Sequence, residues 1–248
     1  MSNDWKLASA YVTGRAHLAK HIPCQDRTFE LIDKHSTGVF YGLSLADGAG
    51  SYKFSDIGAE IVTKKILKYL KSNFAKLFKT RSISSKITKY IEKILYIEAN
   101  NRAIDIKELS STLLFVVLKN DKFIVGHIGD GVIGVLDKLN NVSVLSHPDN
   151  GEYSNSTFFT TTGNYPDRLR IVRGNIVDST GFILMSDGSH QSLYDSRTKQ
   201  LAPINAKIVN WLNAGNSEEV KIALKQNLNN IIKQKTFDDC SLGILKKC

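Results

Sequence analysis

Cysteine is scarce in this chain and long apolar runs are missing, and each absence removes a class of protein. The cysteines, Cys24, Cys240 and Cys248, are odd in number and show no paired spacing. That argues against a disulfide framework and fits a reducing, cytoplasmic setting. The lack of any Cys-x-x-Cys pair speaks against a structural zinc site. The longest unbroken apolar stretch, Leu113–Leu118, is far too short to cross a bilayer. Met1–Trp5 has no basic region followed by an apolar one, so no signal peptide is expected. Internal repeats, low-complexity tracts and Pro/Ser-rich linkers are also lacking, and residues 1–248 are expected to form a single domain.

Acidic residues are fewer than basic ones, 24 against 33, giving a net charge of +9. Such a balance suits an anionic partner. The lysines are spread along the chain, however, with only a modest cluster at Lys64, Lys65, Lys68, Lys71, Lys76 and Lys79. Without a basic motif interleaved with aromatics, the charge reads as a solvated surface, and neither nucleic acid nor membrane is expected as a partner.

The hydrophobic pattern alternates between two periods. Leu7–Val12 and Gly38–Ala46 read as strands. Asp56 is expected to cap a helix in which Ile57, Ile61, Leu67, Leu70, Phe74, Leu77 and Phe78 recur. Ile83, Ile87, Ile91, Ile94 and Leu95 mark a second helix. Residues 111–118 and 123–128 form a hairpin about Lys119–Lys122, and 132–136 and 142–145 are expected to continue the meander. Residues 146–179 are polar and turn-rich, followed by a strand at 181–186. Helices are expected over 206–212 and from Asn216, with Glu218 and Glu219 in the first turn, and 240–245 closes the chain as a strand. Strands in blocks with helix pairs between them indicate an α+β protein, two packed antiparallel sheets with helices outside.

Against this background, aspartates recur at strand ends and tight turns: Asp26, Asp47, Asp130, Asp187, and the pair Asp238-Asp239. One such residue is ordinarily a turn former or a helix cap. Five sites beside buried strands are different, because strand ends at one edge of a two-sheet sandwich converge. Clustered carboxylates repel one another unless a cation neutralises them, and an oxygen-only set suits Mg²⁺ or Mn²⁺.

The segments are Pro23-Cys24-Gln25-Asp26, Ala46-Asp47-Gly48-Ala49-Gly50, Ser110-Ser111-Thr112, His127-Ile128-Gly129-Asp130-Gly131, Met185-Ser186-Asp187-Gly188 and Asp238-Asp239-Cys240-Ser241. In this order they resemble the metal-dependent protein phosphatases of the protein phosphatase 2C family. Gln25-Asp26 and Gly151–Thr157 look most like its compact bacterial branch. The resemblance implies a four-layer α-β-β-α sandwich, two central antiparallel sheets flanked by pairs of helices. It implies an Mg²⁺/Mn²⁺-dependent serine/threonine phosphoprotein phosphatase that hydrolyses phosphomonoesters with a water activated between two ions. Carried over by position, Asp47 bridges the two ions, the Gly48 carbonyl binds one, and Asp187 and Asp238 hold the other. Asp26 with Gln25 sits near the second ion. Asp130, with Asp187, matches a third, weaker ion site, and the Thr112 hydroxyl supports the centre. The implied partners are phosphoserine and phosphothreonine proteins and a cognate kinase, with the chain a monomer.

Two positions depart from the pattern. Ala49 stands where many relatives carry a His after Asp-Gly, a candidate acid for the leaving group. The Arg that grips phosphate before the acidic pair is also absent. Its position falls on His21, with Arg15, His17 and Lys53 as further candidates for the contact. Gln25 is neutral where a Glu is usual, which weakens one metal site. These departures support an alternative expectation, a catalytically weak or inactive module of the same fold that binds phosphoproteins. A haloacid-dehalogenase mechanism is discarded, because its nucleophilic Asp would fall on Leu45.

Overall fold

The computed structural model describes residues 4–36, 38–149, 157–162 and 168–248. Among them, two five-stranded antiparallel sheets lie face to face. The first runs β1 (Trp5–Val12), β12 (Cys240–Lys247), β9 (Ser179–Met185), β6 (Val132–Asp137), β7 (Val142–Ser146). The second runs β2 (Arg27–His35), β3 (Gly38–Ala46), β4 (Leu113–Lys119), β5 (Lys122–Ile128), β8 (Arg170–Asn175). Helices α2 (Ser55–Lys79) and α3 (Ile83–Arg102) cover the second sheet, and α5 (Ile204–Ala214) and α6 (Ser217–Asn227) the first. Short α1 (Arg15–Ala19) and α4 (Asp187–Leu193) and a small hairpin, β10 (Tyr194–Asp195) with β11 (Gln200–Leu201), complete the chain. This is the α-β-β-α sandwich. No helix among the described residues is long and apolar enough to cross a membrane.

The unbroken apolar run of β4 follows from its place in the layers. Leu113, Phe115 and Val117 pack towards α2 and α3, while Leu114, Val116 and Leu118 pack into the space between the sheets. A strand buried on both faces needs no polar alternation. The inter-sheet layer also takes Leu43 and Leu45 from β3 and Phe182 and Leu184 from β9. Burying such side chains contributes about 1.5–3 kcal/mol each, so the sandwich is rigid where the strand ends emerge.

Several expectations are corrected. The chain becomes helical at Ser55, so Asp56 lies inside the first turn of α2, where its carboxylate pairs with Arg27 at 3.1 Å. The strands at 132–137 and 142–146 do not extend the β4–β5 meander; β6 crosses to the first sheet and pairs with β9. The polar stretch 146–179 holds β8, and β2 is a strand where none was read. The asparagine at each of two turns, Asn120 and Asn140, takes positive φ, 56° and 63°, as hairpins require. Residues 150–156, most of the Gly151–Thr157 segment, lie outside the described residues.

Candidate active site

Antiparallel pairing delivers the acidic segments to one edge of the sandwich. In the second sheet Arg27 pairs with Ala46, Leu45 with Leu114, and Leu113 with Ile128. The residue before β2 (Asp26), the one after β3 (Asp47), the one before β4 (Thr112) and the turn after β5 (Asp130) therefore share an end. In the first sheet Met185 pairs with both Leu242 and Val132. That sets Asp187, Asp238 and the Gly129–Gly131 turn at the same edge. A cavity of about 160 Å³ opens there, lined by Asp47, Gly48, Asp130, Asp187, Asp238 and Asp239 together with Gln25, Thr112 and His17. Asp26 is fully buried beneath it.

Each aspartate is held by its backbone. The Asp47 carbonyl accepts from the Thr112 N–H at 2.8 Å, and the Thr112 hydroxyl accepts from the Asp47 N–H at 2.9 Å. Asp187 opens α4, and its carboxylate accepts from the Gly188 N–H at 2.6 Å. Gly188 has no alternative: a Cβ there would lie 2.1 Å from the Asp239 carbonyl oxygen. The Asp130 turn needs Gly129 at φ +108°, and the Asp130 carboxylate accepts from the Thr157 hydroxyl at 2.6 Å. Ser186 locks β9 to β12: its N–H donates to Ser241 at 3.2 Å and its hydroxyl accepts from the Ser241 N–H at 3.0 Å. Arg27 gives its guanidinium to the Cys24 and Asp26 carbonyls and to Asp56, fastening the segment before β2 to α2.

The electrostatics are those of uncompensated negative charge. Burial and then the charges of Asp26, Asp187 and Asp130 push the Asp47 carboxyl well above the usual carboxylate range. Burial and the charge of Asp130 raise Asp187 to about 6. Burial, helped by Asp239 and opposed by the Ser241 hydroxyl, raises Asp26 to about 7. Asp47 and Asp187 each push the other's carboxyl group away from independent titration. One oxygen of Asp130 and the amide oxygen of Gln25 are buried without a hydrogen-bond partner. Among the described residues, no Lys or Arg lines the cavity. Buried acceptors without donors are costly, and a hard cation supplies what is missing. Among the described residues, no three His, Cys, Asp or Glu side chains stand ready to clasp an ion as they are placed. The fit to a cation rests on the all-oxygen donor set and the orphaned oxygens.

The expected site residues divide accordingly. Asp47, Gly48, Thr112, Asp130, Asp187 and Asp238 are brought together on the cavity wall, and Asp26 lies just below. The phosphate-contact candidates Arg15 and His21 are not there. Arg15 donates to the Thr236 carbonyl at 2.9 Å and lies 4.3 Å from the Phe237 ring. His21 is exposed beyond the end of α1 at φ 55°. His17 takes the position instead, with Nδ1 2.9 Å from Asp239. Asp239, passed over in favour of its neighbour Asp238, is only 4% exposed and also accepts the backbone N–H of Gly14 at 2.6 Å and of Gln25 at 2.5 Å. Cys24 and Cys240 are buried, and burial with nearby aspartates pushes both thiols up, Cys240 to about 12. They are protonated fillers, not redox-reactive thiolates.

Comparison with known proteins identifies the family and the fold. A family model described as protein phosphatase 2C matches residues 13–231. Serine/threonine-protein phosphatase 3 of Escherichia coli (strain K12) is 25% identical over 253 residues, covering 97% of this chain and 98% of that protein. The fold is shared with serine/threonine phosphatase Stp1 from Staphylococcus aureus, at TM-score 0.63 and 14% identity over 99% of this chain and 95% of that one. It is shared too with the catalytic domain of the serine threonine protein phosphatase PstP in complex with two manganese ions. There the TM-score is 0.60 and the identity 14%, over 98% of this chain and 97% of that one.

Proposed function

Because the chain belongs to the protein phosphatase 2C family and is a serine/threonine-protein phosphatase, we propose that it hydrolyses phosphoserine and phosphothreonine monoesters with Mn²⁺ or Mg²⁺ in the acidic cavity. One observation carries the reading. Aspartates from separate strand ends surround a single cavity with too few hydrogen-bond donors, where burial and mutual repulsion raise the carboxyls of Asp47 and Asp187. Asp47, Asp187 and Asp238, with the Gly48 carbonyl, would hold a pair of ions, with Asp26 beneath and Asp130 beside them at a third, weaker position. Bound there, the ions would make water nucleophilic near neutral pH and screen the phosphoryl oxygens.

The chain's own residues do the positioning. Thr112 fixes the backbone of Asp47 from both sides. The short link through Ser186 and Ser241 keeps Asp187 beside Asp238. With no guanidinium on the wall, the phosphate dianion is held chiefly by what the carboxylates bind. Among the described residues, a phosphorylated side chain entering the 160 Å³ space meets no Lys or Arg.

The test is hydrolysis of a phosphothreonine peptide after treatment with EDTA and again with Mn²⁺ restored. Turnover is expected only with the metal, and Asp47→Ala or Asp187→Ala should each lower kcat/KM by about 100-fold or more. Turnover that survives EDTA in full would sink the reading, and metal binding without any turnover would favour the phosphoprotein-binding alternative.

A further inference from the structure

Expulsion of a serine or threonine oxygen from phosphorus leaves an alkoxide, which needs a proton as the bond breaks. The side chains on the cavity wall that carry exchangeable protons are few. Among the described residues, the Thr157 hydroxyl donates to Asp130, the Thr112 hydroxyl accepts from the Asp47 N–H and is, like the Gln25 amide, no acid, and the aspartates are the acceptor set for a cation. Ala49 offers nothing. His17 is what remains, and its setting is built for the task.

His17 stands in α1, which is clamped to the segment before β12 by the Ala16 N–H donating to Phe237 at 3.0 Å and by Arg15 bonding Thr236. Its Nδ1 is 2.9 Å from the Asp239 carboxylate, while the ring keeps 20% of its surface open. That carboxylate is fixed by the Gly14 and Gln25 N–H groups. A buried carboxylate held this firmly selects the ring tautomer with the proton on Nδ1. The far nitrogen, Nε2, makes no hydrogen bond to any described residue, and the ring lines the cavity.

We propose that His17 is the catalytic acid of this phosphatase, protonating the leaving serine or threonine oxygen from Nε2, and that Asp239 is its positioning residue. The assignment rests on the function proposed above. In the step, a water oxygen bonds to phosphorus as the bond from phosphorus to the side-chain oxygen breaks. The electron pair of that bond goes to the leaving oxygen, which takes the proton from Nε2 of the imidazolium form of His17 and departs as an alcohol, leaving the neutral ring protonated at Nδ1. The water's proton passes to solvent, from which His17 is reprotonated, and inorganic phosphate remains. Neighbouring carboxylates on the cavity wall thus take separate roles: Asp238 belongs to the acidic cluster, while Asp239 holds His17.

Leaving-group dependence distinguishes this role from a structural one. Nitrophenolate departs without protonation, whereas the threonine oxygen does not. His17→Gln should lower kcat on a phosphothreonine peptide by about 100-fold or more, with a loss at least about tenfold smaller on p-nitrophenyl phosphate, both measured with saturating Mn²⁺. Any smaller difference between the two substrates overturns the assignment. A wild-type enzyme inactive on both substrates would instead count against the proposed function. A second readout needs no turnover. Nitrogen-15 NMR of the metal-free protein should show neutral His17 protonated at Nδ1, and Asp239→Asn should abolish that preference. A neutral His17 protonated at Nε2 in the wild type overturns the proposal whatever the kinetics.

Discussion

Single residues at the cavity obey two opposite rules about charge. The carboxyls of Asp26, Asp47 and Asp187 are pushed up by burial and by neighbouring aspartates, whereas His127, one turn away in sequence from Asp130, is pushed down by burial and by the cation of Arg170. Its Nδ1 accepts from Arg170 at 3.0 Å and lies 2.8 Å from the Ser146 hydroxyl, and its pKa is held well below the usual histidine value. The sign follows from linkage. The unfolded chain takes up a proton at this residue below about pH 6.5 and the folded chain does not. Stability is therefore present above that pH and lost as the pH falls, at about 1.4 kcal/mol per pH unit. Asp26 and Asp187, raised to about 7 and about 6 without metal, act in the other direction, losing stability as the pH rises through those values. Urea unfolding of the EDTA-treated protein at pH 7.5 and pH 5 should show wild type losing about 1–2 kcal/mol more than His127→Gln across that interval. The aspartate contribution cancels in the comparison, and equal losses would mean that His127 is charged in the fold. At this scale much was legible in the sequence. The aspartates announced themselves by standing at the ends of apolar runs beside glycine. The His17–Asp239 pair did not, because the partners lie 222 positions apart and neither residue type at its position specifies the other.

Among the elements, the contact that decides the site is α4 against the segment leading into β12. Gly188 lets the first turn of α4 approach the Asp239 carbonyl, which brings Asp187 alongside Asp238. Gly188→Ala places a Cβ where the carbonyl oxygen stands and must push α4 away. A loss of about 1–3 kcal/mol in urea unfolding is expected, with at least about tenfold weaker Mn²⁺ binding in a titration. Wild-type Mn²⁺ affinity in that variant would show that the approach of α4 does not set the site. The two strands that the sequence concealed, β2 and β8, share one physical reason. Both are edge strands, largely half-exposed, with charged residues such as Glu30, Asp33, Arg170 and Arg173 breaking the apolar run. Arg173 has its own use, donating to the carbonyls of Leu77, Phe78 and Thr80 at the end of α2. The transfer of β6 to the other sheet was equally concealed, since alternation tells which residues face inward and not which strand lies alongside.

For the whole molecule, the layered architecture and the chemistry are one arrangement. Two rigid antiparallel sheets packed face to face put many strand ends at one rim, and the chain has placed an aspartate beside those of β2, β3, β5, β9 and β12. The order of layers was readable from strand blocks separated by helix pairs, because that pattern has few packing solutions. The positive net charge of the chain does not reach the cavity wall, where no described residue is a Lys or Arg, so the negative centre must draw its counter-charge from solution. That is the central claim, and isothermal titration of the EDTA-treated protein with Mn²⁺, set against Asp47→Asn with Asp187→Asn, tests it most directly. The wild type should bind about two Mn²⁺ ions per chain, the number that places one on each side of a bridging Asp47, and the double variant should bind neither tightly. A wild type that takes up no Mn²⁺, or a double variant that binds as many ions as tightly, would contradict the account.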